Sequence, residues 1–334
     1  MFTLMAMLSD GANGNSRDQI LNAISNGSAD NSVSSSLVSL SEQLKNGGNA
    51  KLHIANALIT KPEYGTQIRK TYTDLLKKTY DADVFSSGNI IDSVNEWTND
   101  KTLGMIPEIL DPEAQIDICL IDAIAFVGKW MSQYENSQIT EDDIFMNVSG
   151  EMEQATMLFS SEHKWLHKDG LEGFVKPYKS GKYDFMAVIP ESRETDINTV
   201  MPTVGMLGEM YRHAQSFKTN VSMPEFKFDC CTQMKDVLEP MGISDVFKYG
   251  TADLGNMIDN PDVFVDKIIH KTHIQNDREG TKAAAVSAAF MEVGGAIDVE
   301  KTKYVRLDRP FVFSIMNSAT AIPVFVGVLN SLKQ

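Results

Sequence analysis

The stretch that most restricts the fold is Arg278-Glu-Gly-Thr-Lys-Ala-Ala-Ala-Val-Ser-Ala-Ala-Phe-Met-Glu-Val-Gly-Gly-Ala-Ile297. It has too many small side chains for a core helix and too little Pro or charge for an ordinary linker. Taking every second position from Thr281 gives Thr281, Ala283, Ala285, Ser287, Ala289 and Met291, all small but the last. In an extended strand alternate side chains share one face. A face this small can enter a packed interior without demanding much new volume. The alternative is a short Ala-rich helix, because Ala leads the helix scale.

The flanking residues favour the strand. Phe264-Val-Asp-Lys-Ile-Ile-His-Lys-Thr-His-Ile274 reads as a partly alternating strand rich in β-branched residues. Glu279-Gly280-Thr281 follows it, and Leu307-Asp-Arg-Pro-Phe-Val-Phe-Ser-Ile315 comes soon after. This order resembles the C-terminal part of a serpin: strand, hinge, exposed reactive loop, then Arg-Pro-Phe entering a strand pair. Insertion of the loop into a sheet is what that resemblance implies, and the spacing alone does not show it. The alternation of small residues is an independent property of this chain.

Further motifs resemble the same family. They are Ala6-Met-Leu-Ser-Asp-Gly-Ala-Asn-Gly-Asn-Ser16, Val94-Asn-Glu-Trp97, Thr102-Leu-Gly-Met-Ile106, Asp122-Ala-Ile-Ala-Phe-Val-Gly-Lys-Trp130, Met223-Pro-Glu-Phe-Lys-Phe228, Gly242-Ile-Ser-Asp-Val-Phe247 and Ala252-Asp-Leu254. The family's first helix and its Ser-Pro-x-Ser strand have no counterpart. The resemblance implies an α+β fold and a single domain over residues 1–334. A large mixed central sheet, smaller sheets, surrounding helices and an exposed reactive-centre loop at 278–305 belong to that expectation. Read locally, helices are expected at Phe2–Leu8, Ser16–Ile24 and Tyr64–Tyr80, and strands at Lys51–Ile59 and Ile116–Trp130. A strand meander is expected over Phe159–Pro190.

The function implied is a protease inhibitor acting as a suicide substrate, and not an enzyme. The hinge would be Glu279, Gly280, Thr281, Ala283, Ala285 and Ser287. Gly280 lets it turn, and Thr281 is the first side chain to enter. Lys282 replaces the family's usual Glu, and Arg278 is also unusual. Counting from the hinge glycine places the scissile bond at Gly294–Gly295. The loop is longer than usual before Arg309, and counting backward lands near Val299. The forward count is preferred, because the inserted length must match the sheet. A glycine there offers a trypsin-like enzyme no cation. Met291 and Val293 favour an elastase- or chymotrypsin-like serine protease, or a cysteine protease. Lys301 or Lys303 is the rival site, suited to a trypsin-like enzyme.

Asp122, Trp130 and His270 are expected where the strands part to admit the loop. A buried carboxylate needs a partner, and the His270 imidazole is the obvious one. No Ser or Cys can be assigned to extend that pair to a catalytic triad. The competing function is a non-inhibitory relative used for binding, chaperoning or storage. The absent N-terminal elements and Asp122 speak for it.

Composition closes other routes. A net charge of −15 over 334 residues argues against nucleic acid, heparin-like polyanions and anionic membranes as partners. The longest apolar runs, near Ile121–Trp130 and Ile322–Leu329, are too short to span a bilayer. Cys119, Cys230 and Cys231 form neither a disulfide framework nor a zinc signature. His163 and His167 stand at i, i+4, but in a strand region they read as surface side chains and not as metal ligands. No cofactor is implied. A monomer is expected, cytoplasmic or secreted without a visible signal peptide. Sequons begin at Asn26, Asn147 and Asn220.

Overall fold

The computed structural model describes residues 2–25, 51–265, 268–281 and 302–333. Ala283, Ala285, Ser287, Gly294, Gly295 and the Asn26 sequon lie outside them. The described helices are α1 (Phe2–Gly11), α2 (Gly14–Ser25), α3 (Pro62–Gly65), α4 (Lys70–Tyr80), α5 (Ile90–Lys101), α6 (Val204–Arg212) and α7 (Met234–Leu238). The strands begin with β1 (Lys51–Thr60), β2 (Asp83–Ser86), β3 (Ile118–Lys129), β4 (Ile139–Met146), β5 (Met152–Lys168), β6 (Leu171–Pro177) and β7 (Tyr183–Pro190). They continue with β8 (Gln215–Pro224), β9 (Phe226–Gln233), β10 (Ile269–Asn276), β11 (Gly280–Thr281), β12 (Thr302–Arg306), β13 (Phe311–Asn317) and β14 (Pro323–Leu329).

One sheet runs β2-β1-β3-β11-β10-β9. The other runs β12-β8-β5-β6-β7-β13-β14, with β4 paired to β5. The chain divides into two compact units: Met1–Asn46 with Leu52–Ala125 and Asp229–His273, and Gly47–Lys51 with Phe126–Phe228 and Ile274–Gln334.

In the first unit the apolar N-terminal run is a core helix. Leu4 through Leu8 are buried all round, so α1 shows no polar face over those residues. Tyr72 on α4 donates its hydroxyl to the Met7 carbonyl at 2.8 Å. The single helix expected over Tyr64–Tyr80 is two. A Cβ at Gly65 would lie 2.0 Å from Ser86 Oγ, and Ile68 bridges to Ile258. Residues 66–69 are thereby drawn off the helical path. The strand expected from Phe264 begins only at Ile269. Val263 and Val265 pack on the helical core instead, and Val265 N–H donates to the Val246 carbonyl. The first helix also ends later than expected, at Gly11.

In the second unit the expected meander is present, but its first segment belongs to a 17-residue strand, β5. The core there is a run of rings. Phe313 meets Phe185, Phe226, Phe228, Phe311 and Phe325 at centroid distances of 5.1–6.3 Å. Trp130 stacks on Tyr178 at 4.6 Å. Such contacts add directional preference to the area buried.

Candidate functional site

A tight turn at Asp277 sets the geometry. Asp277 and Gly280 exchange backbone hydrogen bonds of 3.0 and 3.3 Å, leaving Arg278 and Glu279 as a two-residue loop. The Asp277 carboxylate accepts the N–H groups of Glu279 and Gly280 at 2.9 and 3.1 Å, the local bonding that favours Asp in turns. Burial nevertheless holds its carboxyl above the ordinary range. The chain leaves β10, reverses, and returns as β11 with Thr281 opposite Asn276. On its other side β11 runs antiparallel to β3, Gly280 opposite Lys129 and Thr281 opposite Gly128.

Only glycine fits at 280. Its φ of 143° lies where L side chains are strained, and a Cβ would stand 2.3 Å from the Gly128 carbonyl oxygen.

Three successive carbonyls of the turn are held by one segment. Asp277 O accepts Trp130 Nε1–H at 2.9 Å. Arg278 O accepts Tyr134 N–H at 3.2 Å. Glu279 O accepts both Trp130 N–H and the Gln133 amide, each at 3.2 Å.

Behind Trp130 and Tyr134 lies a buried cation. Lys176 Nζ sits 2.8 Å from Glu162 Oε1, with side-chain exposures of 3% and 9%. It also lies 4.5 Å from the Tyr134 ring centroid and 5.4 Å from that of Trp130. Burial pulls the ammonium's pKa down, but Tyr134 and Glu162 outweigh it, and Lys176 titrates above its ordinary value.

Arg278, the odd residue of the hinge, has a dedicated partner. Its Nε and Nη2 meet the two carboxylate oxygens of Glu225 at 2.9 and 3.0 Å, and its backbone N–H donates to the same group at 2.9 Å. A two-pronged fork of this kind is the stronger form of ion pair, though partial exposure limits it. Arg278→Glu should loosen the turn, and adding Glu225→Arg should restore it. A double-mutant cycle on thermal melts should give a coupling of about 1 kcal/mol. A coupling of zero would leave the fork no role.

The other expected residues are placed as follows. His270 and Asp122 are register partners on the neighbouring parallel strands β10 and β3, and Asp122 is fully buried. Burial lowers the His270 pKa, with Asp122 opposing. Trp130, grouped with them on sequence, donates its indole and backbone N–H groups to the turn at 277–279. Lys303 pairs with Thr219 on β8 and lies 4.2 Å over the Trp165 ring. The bond after it is thus in ladder structure, a poor substrate for a protease; Lys301 lies outside the described residues. His163 and His167 are exposed on β5, and four residues of strand separate them by about 13 Å. Asn147 is buried, its amide donating to Glu151 and Glu153. Asn220 lies mid-strand between Ser161 and Tyr304. The Cys119 thiol is buried, its pKa pushed up to about 12, and is inert.

Sequence reasoning missed Glu225, Glu162, Lys176 and Tyr134. The one usable signal was Arg278 itself, a hinge-side charge that calls for an acid.

Comparison with known proteins agrees with this geometry. The family model described as "Serpin (serine protease inhibitor)" matches residues 1–332. Leukocyte elastase inhibitor of Xenopus tropicalis is 26% identical, covering 98% of this chain and 90% of the relative. The native-state crystal structure of the thermophilic serpin tengpin superposes with a TM-score of 0.88 at 29% identity, over 99% of this chain and 86% of that one. A thyroxine-binding globulin complex with thyroxine shares the fold, with a TM-score of 0.85 at 18% identity over 100% of this chain and 91% of that one.

Proposed function

Because this chain belongs to the serpin family, we propose that it inhibits proteases as a suicide substrate, one chain per enzyme. A target attacks a bond in the 278–305 loop, with Gly294–Gly295 as the assigned site, and forms an acyl-enzyme. The freed arm then enters between β3 and β10 and carries the enzyme with it. The targets are elastase- or chymotrypsin-like serine proteases, or a cysteine protease of similar preference.

The observation that carries this reading is β11. Gly280 and Thr281 already occupy the place of an added strand, paired to β3 on one side and β10 on the other. Continuing the same antiparallel run along β3 needs no change of direction at the hinge. About ten further residues, at roughly 1 kcal/mol of net ladder energy each, supply on the order of 10 kcal/mol. That rivals the stability of a whole domain.

The test is incubation with a panel of serine and cysteine proteases, followed by denaturing electrophoresis. A conjugate that survives denaturation is expected with an elastase- or chymotrypsin-like member. Clean cleavage by every enzyme, with no conjugate, would move the chain to the non-inhibitory uses of the fold. Mass spectrometry of the fragment released from a conjugate identifies the bond, and Gly295 is its expected first residue.

A further inference from the structure

Resting on that reading, we propose that the outer edge of β4 is a second docking strip for the target protease, and that it selects an enzyme with a cationic surface beside its active site. β4 spans the base of the loop. At the loop's start, Asn136, Ile139, Thr140, Glu141, Asp142 and Arg278 line one shallow cleft. At the loop's other root, Asp143 takes Arg306 Nη2 at 2.6 Å, and Met146 N–H donates to the Asp308 carbonyl at 2.8 Å. Both described roots of the loop meet this strand, so an enzyme engaged between them would come close to it.

The strip is built for a partner. β4 pairs with β5 alone. Beyond Met146's bond to Asp308, its outer edge carries no strand among the described residues, and an open edge is a template for another chain. Ile144 is 49% exposed, Val148 51% and Met152 75%, and Met152 stands opposite Met146 in the ladder. Apolar side chains grouped at an open edge mark an interaction surface.

Charge names the partner. From Trp130 to Glu162 the sequence holds no Lys or Arg, but seven acids. Asp143 is matched by Arg306, Glu162 by Lys176, and Glu153 by Asn147, Ser331 and the Leu332 N–H. Glu135, Glu141, Asp142 and Glu151 remain exposed. The nearby cations do not cancel them: Arg278 is engaged with Glu225, and Arg306 with Asp143 and Asp308. Complementary charge across an interface mainly speeds encounter and rejects wrong partners. The strip therefore favours a protease with Lys and Arg around its cleft over an acidic enzyme of equal bond preference.

The experiment measures the rate of conjugate formation with a cationic chymotrypsin-like protease, and with the same enzyme after succinylation of its surface lysines. The Glu141→Lys/Asp142→Lys variant should react about tenfold more slowly with the cationic enzyme at low salt. It should match wild type with the succinylated one. Equal rates for wild type and variant with the cationic enzyme overturn the proposal. Glu141→Gln/Asp142→Asn, which removes both charges at nearly unchanged side-chain volume, serves if the first variant melts early. If no conjugate forms with wild type, the trapping reading falls, and binding of the active-site-blocked cationic enzyme decides the docking strip. Weaker binding by the variant upholds it, and equal binding overturns it.

Discussion

Nicking the loop with a protease that escapes trapping should raise the melting temperature by on the order of 20 °C. Two residues of the added strand, Gly280 and Thr281, are paired in the intact chain. On the proposed reading, release of one end would let about ten more join, each contributing roughly 1 kcal/mol net. For chains of about 150–250 residues a kilocalorie moves the midpoint by roughly 2–4 °C, and for a longer chain by somewhat less. Gly280→Ala should lose most of that gain. The new Cβ meets the Gly128 carbonyl oxygen at 2.3 Å, which is backbone and cannot step aside, and φ of 143° disfavours any Cβ. The same variant should be consumed by proteases as an ordinary substrate. Calorimetry of intact wild type, nicked wild type and nicked variant makes the comparison. An unshifted nicked wild type rules out insertion, and a full shift in nicked Gly280→Ala rules out the seed role of β11.

Replacing Glu162 with Leu should cost about 3–5 kcal/mol, a fall of roughly 10 °C in the midpoint. The reason is Lys176, 3% exposed, which keeps its ammonium between the Trp130 and Tyr134 rings with its carboxylate gone. Ser160 Oγ, 2.7 Å from Glu162 Oε1, loses its acceptor as well. Adding Lys176→Met should recover most of the loss, because a buried pair replaced by apolar groups of similar volume is often neutral or better. Trp130 and Tyr134 hold the Asp277 and Arg278 carbonyls. The single variant should therefore also loosen the hinge, seen as faster amide exchange at Gly280. A single variant as stable as wild type would show that the pair is screened and of no structural weight.

What was legible in the chain was what depends on local order. The Gly280 hinge and the Asp122 to Lys129 run are contiguous patterns, and both lie in strands; of the small-residue alternation only Thr281 is among the described residues. Asp122 and His270 could be brought together from the demand of a buried carboxylate for a partner, and what the structure gives them is adjacent register positions on β3 and β10. The rest depends on distance. Arg278 and Glu225 are 53 positions apart, and no periodicity links them. Lys176, flanked by Val175 and Pro177, reads as a surface strand residue; only the fold wraps two aromatic rings and Glu162 around it. The helix expected through Gly65 failed for the same reason. Its glycine is fixed by Ser86 across the sheet edge, a contact outside any local window.

The hairpin at Asp277 also bears on timing. A trap of this kind is a race between the advancing strand and the water that would release the enzyme. The slow part of adding a strand is its first residues, which lose backbone freedom of about 1–2 kcal/mol each before a ladder supports them. In the proposed insertion, with Gly280 and Thr281 already ordered between β3 and β10, that delay would be over before a protease arrived. What would remain is propagation, residue by residue, as β3 and β10 give up their own pairing of Ile121–Ala125 with Ile269–His273. On the proposed reading such a chain would favour capture over turnover, through a hinge that is in place before any bond is cut.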